Sequence, residues 1–202
     1  VNRLERSLRR LVSDLRAIGC DYALVGGLAV SVRAEPRLTR DVDVVVSVVD
    51  DQAAEEVVRT LAGVGYHPTA VMEQEAIGRL ATVRLERMDE PSGFVVDLLF
   101  ASSGIEPEIV AAADLMEVLT GLTLPVASTG HLIAMKLLAR DDRRRPTDAD
   151  DLRALSEVAQ PSDWDVAANA VRAITARGFH RGRDLSAALD ELRRSGAYPA
   201  DP

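Results

Sequence analysis

Cysteine is nearly absent: Cys20 stands alone among 202 residues, so no disulfide closes within this sequence and no cysteine-based zinc site exists. Aromatic residues make up 3% of the chain, too few for a base-stacking platform that follows single strands. No apolar run approaches a bilayer span, and the sequence opens on an Arg-rich amphipathic pattern without a signal-peptide apolar stretch. A cytoplasmic protein without a membrane partner is expected. Excess positive charge is lacking too: the net charge of -8 argues against a protein that coats nucleic acid nonspecifically. His67, His131 and His180 have no partner at ligand spacing and read as structural or surface residues.

Lysine is the sharpest shortage. Of 24 basic side chains, one is lysine, Lys136, and the rest are arginine. The two differ where a compact ammonium must fit against a phosphate. The arginines gather in three places: Arg3, Arg6, Arg9 and Arg10; Arg140 with 143–145; and Arg172, Arg177, Arg181 and Arg183. Solvated helix faces balanced by nearby acids explain each cluster most simply.

Residues 2–18 carry Leu4, Leu8, Leu11, Val12, Leu15 and Ile18 at helical spacing, and Gly19 closes that helix. A short strand over 22–25 ends in Gly26-Gly27, followed by a helix over 28–33 and a loop at Pro36. Residues 41–49 are β-branched and predict a strand, and 52–61 a helix capped by Asp50 or Asp51. Strands are expected over 79–87 and 94–100, joined by a turn at 89–93. A loop over 101–107 leads to a hairpin, 115–119 with 122–126, through Thr120-Gly121. Beyond Ser128 the pattern is helical, over about 128–140, 148–158, 163–177 and 181–194, with a loose tail from 196. The expected class is α+β. A mixed sheet with flanking helices fills 1–126, and a helical lobe fills 127–202.

Asp41-Val42-Asp43 heads a very apolar strand. Side chains two apart face the same way, roughly 7 Å apart at Cα, and such carboxylates repel unless a cation lies between them. Asp97 interrupts a run, Phe94 to Phe100, that otherwise reads as a buried strand. A carboxylate there needs a metal or a basic partner, for which Arg84 and Arg87 are candidates. A neighbouring strand would bring Asp97 beside the first two acids. Gly26-Gly27, ending one strand and opening a helix, allows backbone N–H groups to approach a phosphate closely.

Val25-Gly26-Gly27-Leu28-Ala29 followed by Arg37-Leu38-Thr39-Arg40-Asp41-Val42-Asp43 resembles the signature of polymerase-β-type nucleotidyltransferases. The resemblance implies that Gly26 and Gly27 hold a triphosphate, and that Asp41, Asp43 and Asp97 hold two magnesium ions. Further on, His131 to Arg140, containing Lys136, precedes Asp148-Ala149-Asp150-Asp151-Leu152. That pair of motifs resembles the AbiEii branch, which includes the MenT-type toxins of toxin–antitoxin systems. Lys136 falls on the family's essential lysine. Thr147 and Pro146 depart from its pattern, which has a basic residue before the first aspartate. The resemblance covers about 20–155.

Lys136 and Arg140, four apart, are expected on one helix face and against the triphosphate. Asp148 or Asp151 would orient Lys136 or the nucleotide; helix capping by Asp148 and surface pairing with arginine are the plainer roles. The chemistry expected is in-line attack of a hydroxyl on the α-phosphate, releasing pyrophosphate, with Asp97 on the acceptor side. The MenT-type resemblance implies the 3′ end of transfer RNA as acceptor, blocking aminoacylation and translation, and CTP as a favoured donor. It also implies a cognate antitoxin, in some systems a kinase, for which Thr39 is the candidate phosphorylation site. An RNA acceptor asks the arginine clusters to converge on the cleft. Transfer to an antibiotic-like small molecule, transfer to a protein hydroxyl, and an inert binding module are the alternatives.

Overall fold

The computed structural model describes residues 3–36, 39, 41–74, 77–87, 94–140 and 147–196. The expected turn at 89–93, Arg143 to Arg145, Pro146 and the tail beyond 196 lie outside them. The first helix, α1 (Arg3–Ile18), buries Leu8, Leu11, Val12 and Leu15 completely or nearly so, the stripe its spacing dictates. Gly19, at φ +75°, ends it, with the Cys20 amide returning to the Leu15 carbonyl.

Strand β1 (Asp21–Val25) runs into α2 (Gly26–Arg33). Strand β2 (Asp41–Ser47) then leads to α3 (Asp51–Gly63), capped by Asp50, whose side chain accepts from the Ala53 amide at 2.8 Å. Next come β3 (Tyr66–Gln74), β4 (Arg79–Arg87), β5 (Val95–Leu99) and the short α4 (Glu106–Ala111). The hairpin β6 (Asp114–Leu119) and β7 (Leu122–Val126) turns through Thr120-Gly121 as expected. Four helices follow: α5 (Thr129–Ala139), α6 (Thr147–Val158), α7 (Pro161–Ala176) and α8 (Leu185–Gly196).

The seven strands form one mixed sheet, ordered β3-β4-β5-β2-β1-β7-β6. β2 sits at its centre, antiparallel to β1 and parallel to β5. Val42, Val44, Val45 and Val46 of β2 are all buried, which is why this strand carries almost no polar residue after its two leading acids. α5 packs against α7 so closely that a Cβ on Gly130 would lie 2.3 Å from the Asp163 carbonyl oxygen. One apolar cluster joins the sheet to these helices, from Leu8 through Leu189.

Strand β3 is absent from the sequence-based reading. Its Pro68 and its polar residues interrupt any apolar alternation, and β3 lies at the sheet edge, where a missing N–H is tolerated. Part of the expected loop at 101–107 is the start of α4. β2 ends at Ser47 because the chain must turn at Val48-Val49 to reach the Asp50 cap. α8 begins at Leu185 rather than 181. Arg181 and Gly182 both take positive φ, at 54° and 71°, and Asp184 then caps the helix through the Ala187 amide.

Candidate active site

The sheet register gathers the acids. Asp43 lies beside Asp97 across the parallel β2–β5 pair, and Asp41, two residues earlier, shares their face. Asp41 and Asp43 are half-buried, and Asp97 is buried. β5 has β4 on its other side, where Arg84 stands directly opposite Asp97. The Arg84 Nε donates to Asp97 Oδ1 at 2.8 Å and Nη2 to Oδ2 at 2.7 Å. Nη2 also lies 4.0 Å from Asp41 Oδ2. The hydrogen-bonded Asp97 carboxylate raises the Arg84 pKa above its ordinary value, outweighing burial, so the guanidinium stays charged.

Gly26 completes this face. Its φ is +65°, and a Cβ there would lie 1.9 Å from Asp43 Oδ2, so the carboxylate rests directly against the glycine. The glycine turn therefore serves two ends: it opens α2, and it makes room for the second acid. The N-cap residue of α2, Val25, offers no side-chain cap to the first amides of the helix.

On the facing helix, Lys136 Nζ donates to Asp148 Oδ1 and lies against Asp151 Oδ2, each at 2.7 Å. Both aspartates are buried, and Asp148 Oδ2 has no hydrogen-bond partner among the described residues. Both acids thus hold the single lysine. Lys136, Gly26 and Asp43 line one cavity of about 100 Å³. Asp43 also borders an adjoining cleft of about 430 Å³, shared with Asp97, Ser102, Ser103, Met135 and Arg181.

Arg140 is the C-cap of α5, its amide bonded to the Lys136 carbonyl at 2.9 Å, and it is not among the residues that line the two cavities at Asp43. Its side chain borders a separate groove beside Leu152 and Leu192. Thr39 donates its hydroxyl to the Asp41 carbonyl at 3.0 Å, at the head of β2.

Among the described residues, Arg9, Arg177 and Arg183 are engaged away from the cleft. α1 crosses the opposite face of the sheet: Tyr66 donates to Asp14 at 3.0 Å, and Arg87, three residues from Arg84 and so on the other face, lies 3.8 Å from the same carboxylate. Arg9 is engaged by the hairpin, donating to the Thr120 and Gly121 carbonyls. Arg177 pairs with Glu108, and Arg183 donates to the Leu137 and Leu138 carbonyls at the end of α5. Of the third cluster, Arg181 alone borders the acidic cleft, donating to the Ser102 carbonyl at 3.3 Å.

Sequence reasoning missed this wall of the cleft. Glu106, buried, accepts at one oxygen from the amides and hydroxyls of both Ser102 and Ser103, at 2.7 to 3.1 Å. The signal was a Ser-Ser-Gly segment directly after the strand that carries Asp97, where loops meet the site.

A family model, nucleotidyl transferase AbiEii toxin of type IV toxin–antitoxin systems, matches residues 9–201. The chain belongs to this family, and is a nucleotidyltransferase of the toxin class. No curated protein matches it. Among solved structures it is similar to an antigenic nucleotidyltransferase-like protein from Paracoccidioides brasiliensis. The identity is 22%, with 93% of this chain and 92% of that one covered, at a TM-score of 0.53. It is also similar to MenT4, a nucleotidyltransferase toxin from Mycobacterium tuberculosis H37Rv. That identity is 17%, covering 94% and 92%, at a TM-score of 0.41. ANT(2")-Ia in complex with adenylyl-2"-tobramycin gives 14% identity, covering 95% of both chains, at a TM-score of 0.49. The first of these likenesses bears on the fold alone. Among the described residues, no helix is long and apolar enough to cross a membrane.

The donor set suits a hard divalent cation. Three carboxylates share one face, and Asp41 and Asp97 approach a single cationic nitrogen.

Proposed function

We propose that the chain transfers a nucleoside monophosphate from a triphosphate, CTP in the first instance, to the 3′ end of transfer RNA in the cytoplasm. Such an addition blocks aminoacylation and arrests translation. The observation that carries this reading is the meeting of Asp43 and Asp97 with the Gly26 turn and Lys136 around adjoining cavities, with Asp41 on the same face of its strand.

Asp41 and Asp43 would hold magnesium, which when bound polarises the α-phosphate and activates the attacking hydroxyl. The α2 N-terminus at Gly26 and Gly27 receives phosphate oxygens. Lys136, fixed by Asp148 and Asp151, faces the triphosphate and offsets charge that develops on it. Asp97 orients the acceptor hydroxyl or takes its proton.

The family implies an antitoxin partner. Neutralisation by phosphorylation of Thr39 is part of this proposal. A phosphate on that hydroxyl would place nearly two negative charges at the head of β2, against the incoming triphosphate.

One observation favours a second acceptor class. The cleft of about 430 Å³ has the size of a small-molecule site, and α1 takes its arginines to the other face of the sheet. Incubation with total transfer RNA, magnesium and each labelled triphosphate, beside aminoglycoside and protein acceptors, separates the readings. Label on RNA that Asp41→Ala abolishes supports the proposal; label on the small molecule alone replaces it.

A further inference from the structure

We infer that Arg84 is a resident cation of the acidic site: its guanidinium, held by Asp97, takes the place of a second metal ion, and Asp41 and Asp43 accept one divalent ion rather than two. The inference rests on the divalent-cation reading above and adds the stoichiometry of that site.

Backbone register fixes the pairing. Arg84 and Asp97 are direct partners in the antiparallel β4–β5 ladder, so their side chains rise together from one face. The contact is a fork: Nε meets Oδ1 at 2.8 Å and Nη2 meets Oδ2 at 2.7 Å, so both Asp97 oxygens are engaged. The Asp97 side chain is 11% exposed and that of Arg84 40%, so the pair is enclosed at the acid and open to solvent at the guanidinium.

Position is the second argument. The nitrogen that binds Asp97 also lies 4.0 Å from Asp41, on the next strand but one from its own. It therefore bridges acids of β2 and β5, as a shared cation does. Among the described residues, no three His, Cys, Asp or Glu side chains stand close enough together to share one ion. A guanidinium lodged between two of the carboxylates accounts for that spacing. Arginine does not lose its proton in the physiological range, so pH does not vacate the place. Three carboxylates, one guanidinium and one divalent ion are together neutral.

The test is Mn²⁺ binding to the whole chain without nucleotide, followed by electron paramagnetic resonance and calorimetry, with thermal melts to confirm folding. Wild type is expected to bind one ion per chain. Arg84→Met frees Asp97 for the metal, and affinity should rise about tenfold or more. Arg84→Lys keeps the charge and should bind as wild type does. Arg84→Met with Asp97→Asn removes a pair of no net charge, and affinity should return to within about threefold of wild type.

Two ions bound by wild type, an unchanged affinity in Arg84→Met, or loss of binding in the double variant would overturn the inference. In each of those cases the metal-dependent reading stands, provided that Asp41→Asn abolishes binding. Wild type that binds no Mn²⁺, alone or with a non-hydrolysable triphosphate, overturns both.

Discussion

The Asp43 carboxylate lies where a side chain on Gly26 would begin: a Cβ at position 26 would stand 1.9 Å from Asp43 Oδ2. The glycine that turns β1 into α2 and the acid two residues into β2 thus meet in one space, and a side chain at position 26 would displace the acid. Gly26→Ala should cost about 1–2 kcal/mol for the left-handed backbone alone. It should also displace Asp43 and remove transfer activity while the fold persists. Circular dichroism beside a label-transfer assay checks both halves; full activity in a folded Gly26→Ala variant would show that Asp43 need not lie there.

The Lys136 cluster gives a stability prediction. Asp151→Ala leaves the ammonium with one partner in a site where Lys136 is 13% exposed and Asp148 4%. Asp148 still pairs the ammonium, so the loss is that of one charge-assisted hydrogen bond, about 1.5–3 kcal/mol. For a chain of this size that is a fall in Tm of roughly 3–12 °C. Lys136→Met should destabilise similarly, because two buried carboxylates then face each other. Activity lost in that variant therefore needs comparison at a temperature where it is folded.

A pH dependence follows from His131, buried beneath the Ser128 cap. Burial lowers its pKa below the ordinary value of 6.5, against the opposing pull of Glu108. The unfolded chain then binds the proton first. His131 therefore contributes stability above about pH 6.5 that is lost as pH falls through its lower folded-state value. Denaturant unfolding of wild type should weaken between neutral and mildly acidic pH, and His131→Gln should flatten that loss. An equal loss in both proteins would assign the effect to other groups.

Much of this site was legible because its residues break the pattern around them. Asp97 is a charge in an apolar strand, Gly26-Gly27 is a double turn signal, and Lys136 is the chain's single lysine. The rest depends on strand order, which local pattern does not encode. Arg84 was one of two equal candidates until the β4–β5 register set it opposite Asp97 and turned Arg87 toward Asp14. β3 escaped notice because an edge strand tolerates the proline and polar residues that would disqualify a central one. Arg181 and Glu106 reach the cleft wall through a turn and a short helix, where periodicity carries no information.

The central claim is that Asp41 and Asp43 serve transfer of a nucleotidyl group rather than a phosphoryl group. The most direct measurement uses one triphosphate labelled in turn at the α- and γ-phosphate, with transfer RNA as acceptor and Asp43→Asn as control. The α-label should appear on the acceptor and the γ-label in released pyrophosphate. Both should fall by on the order of 10²-fold or more in the variant. Transfer of the γ-label to the acceptor, or α-label transfer that survives in Asp43→Asn, would contradict the claim.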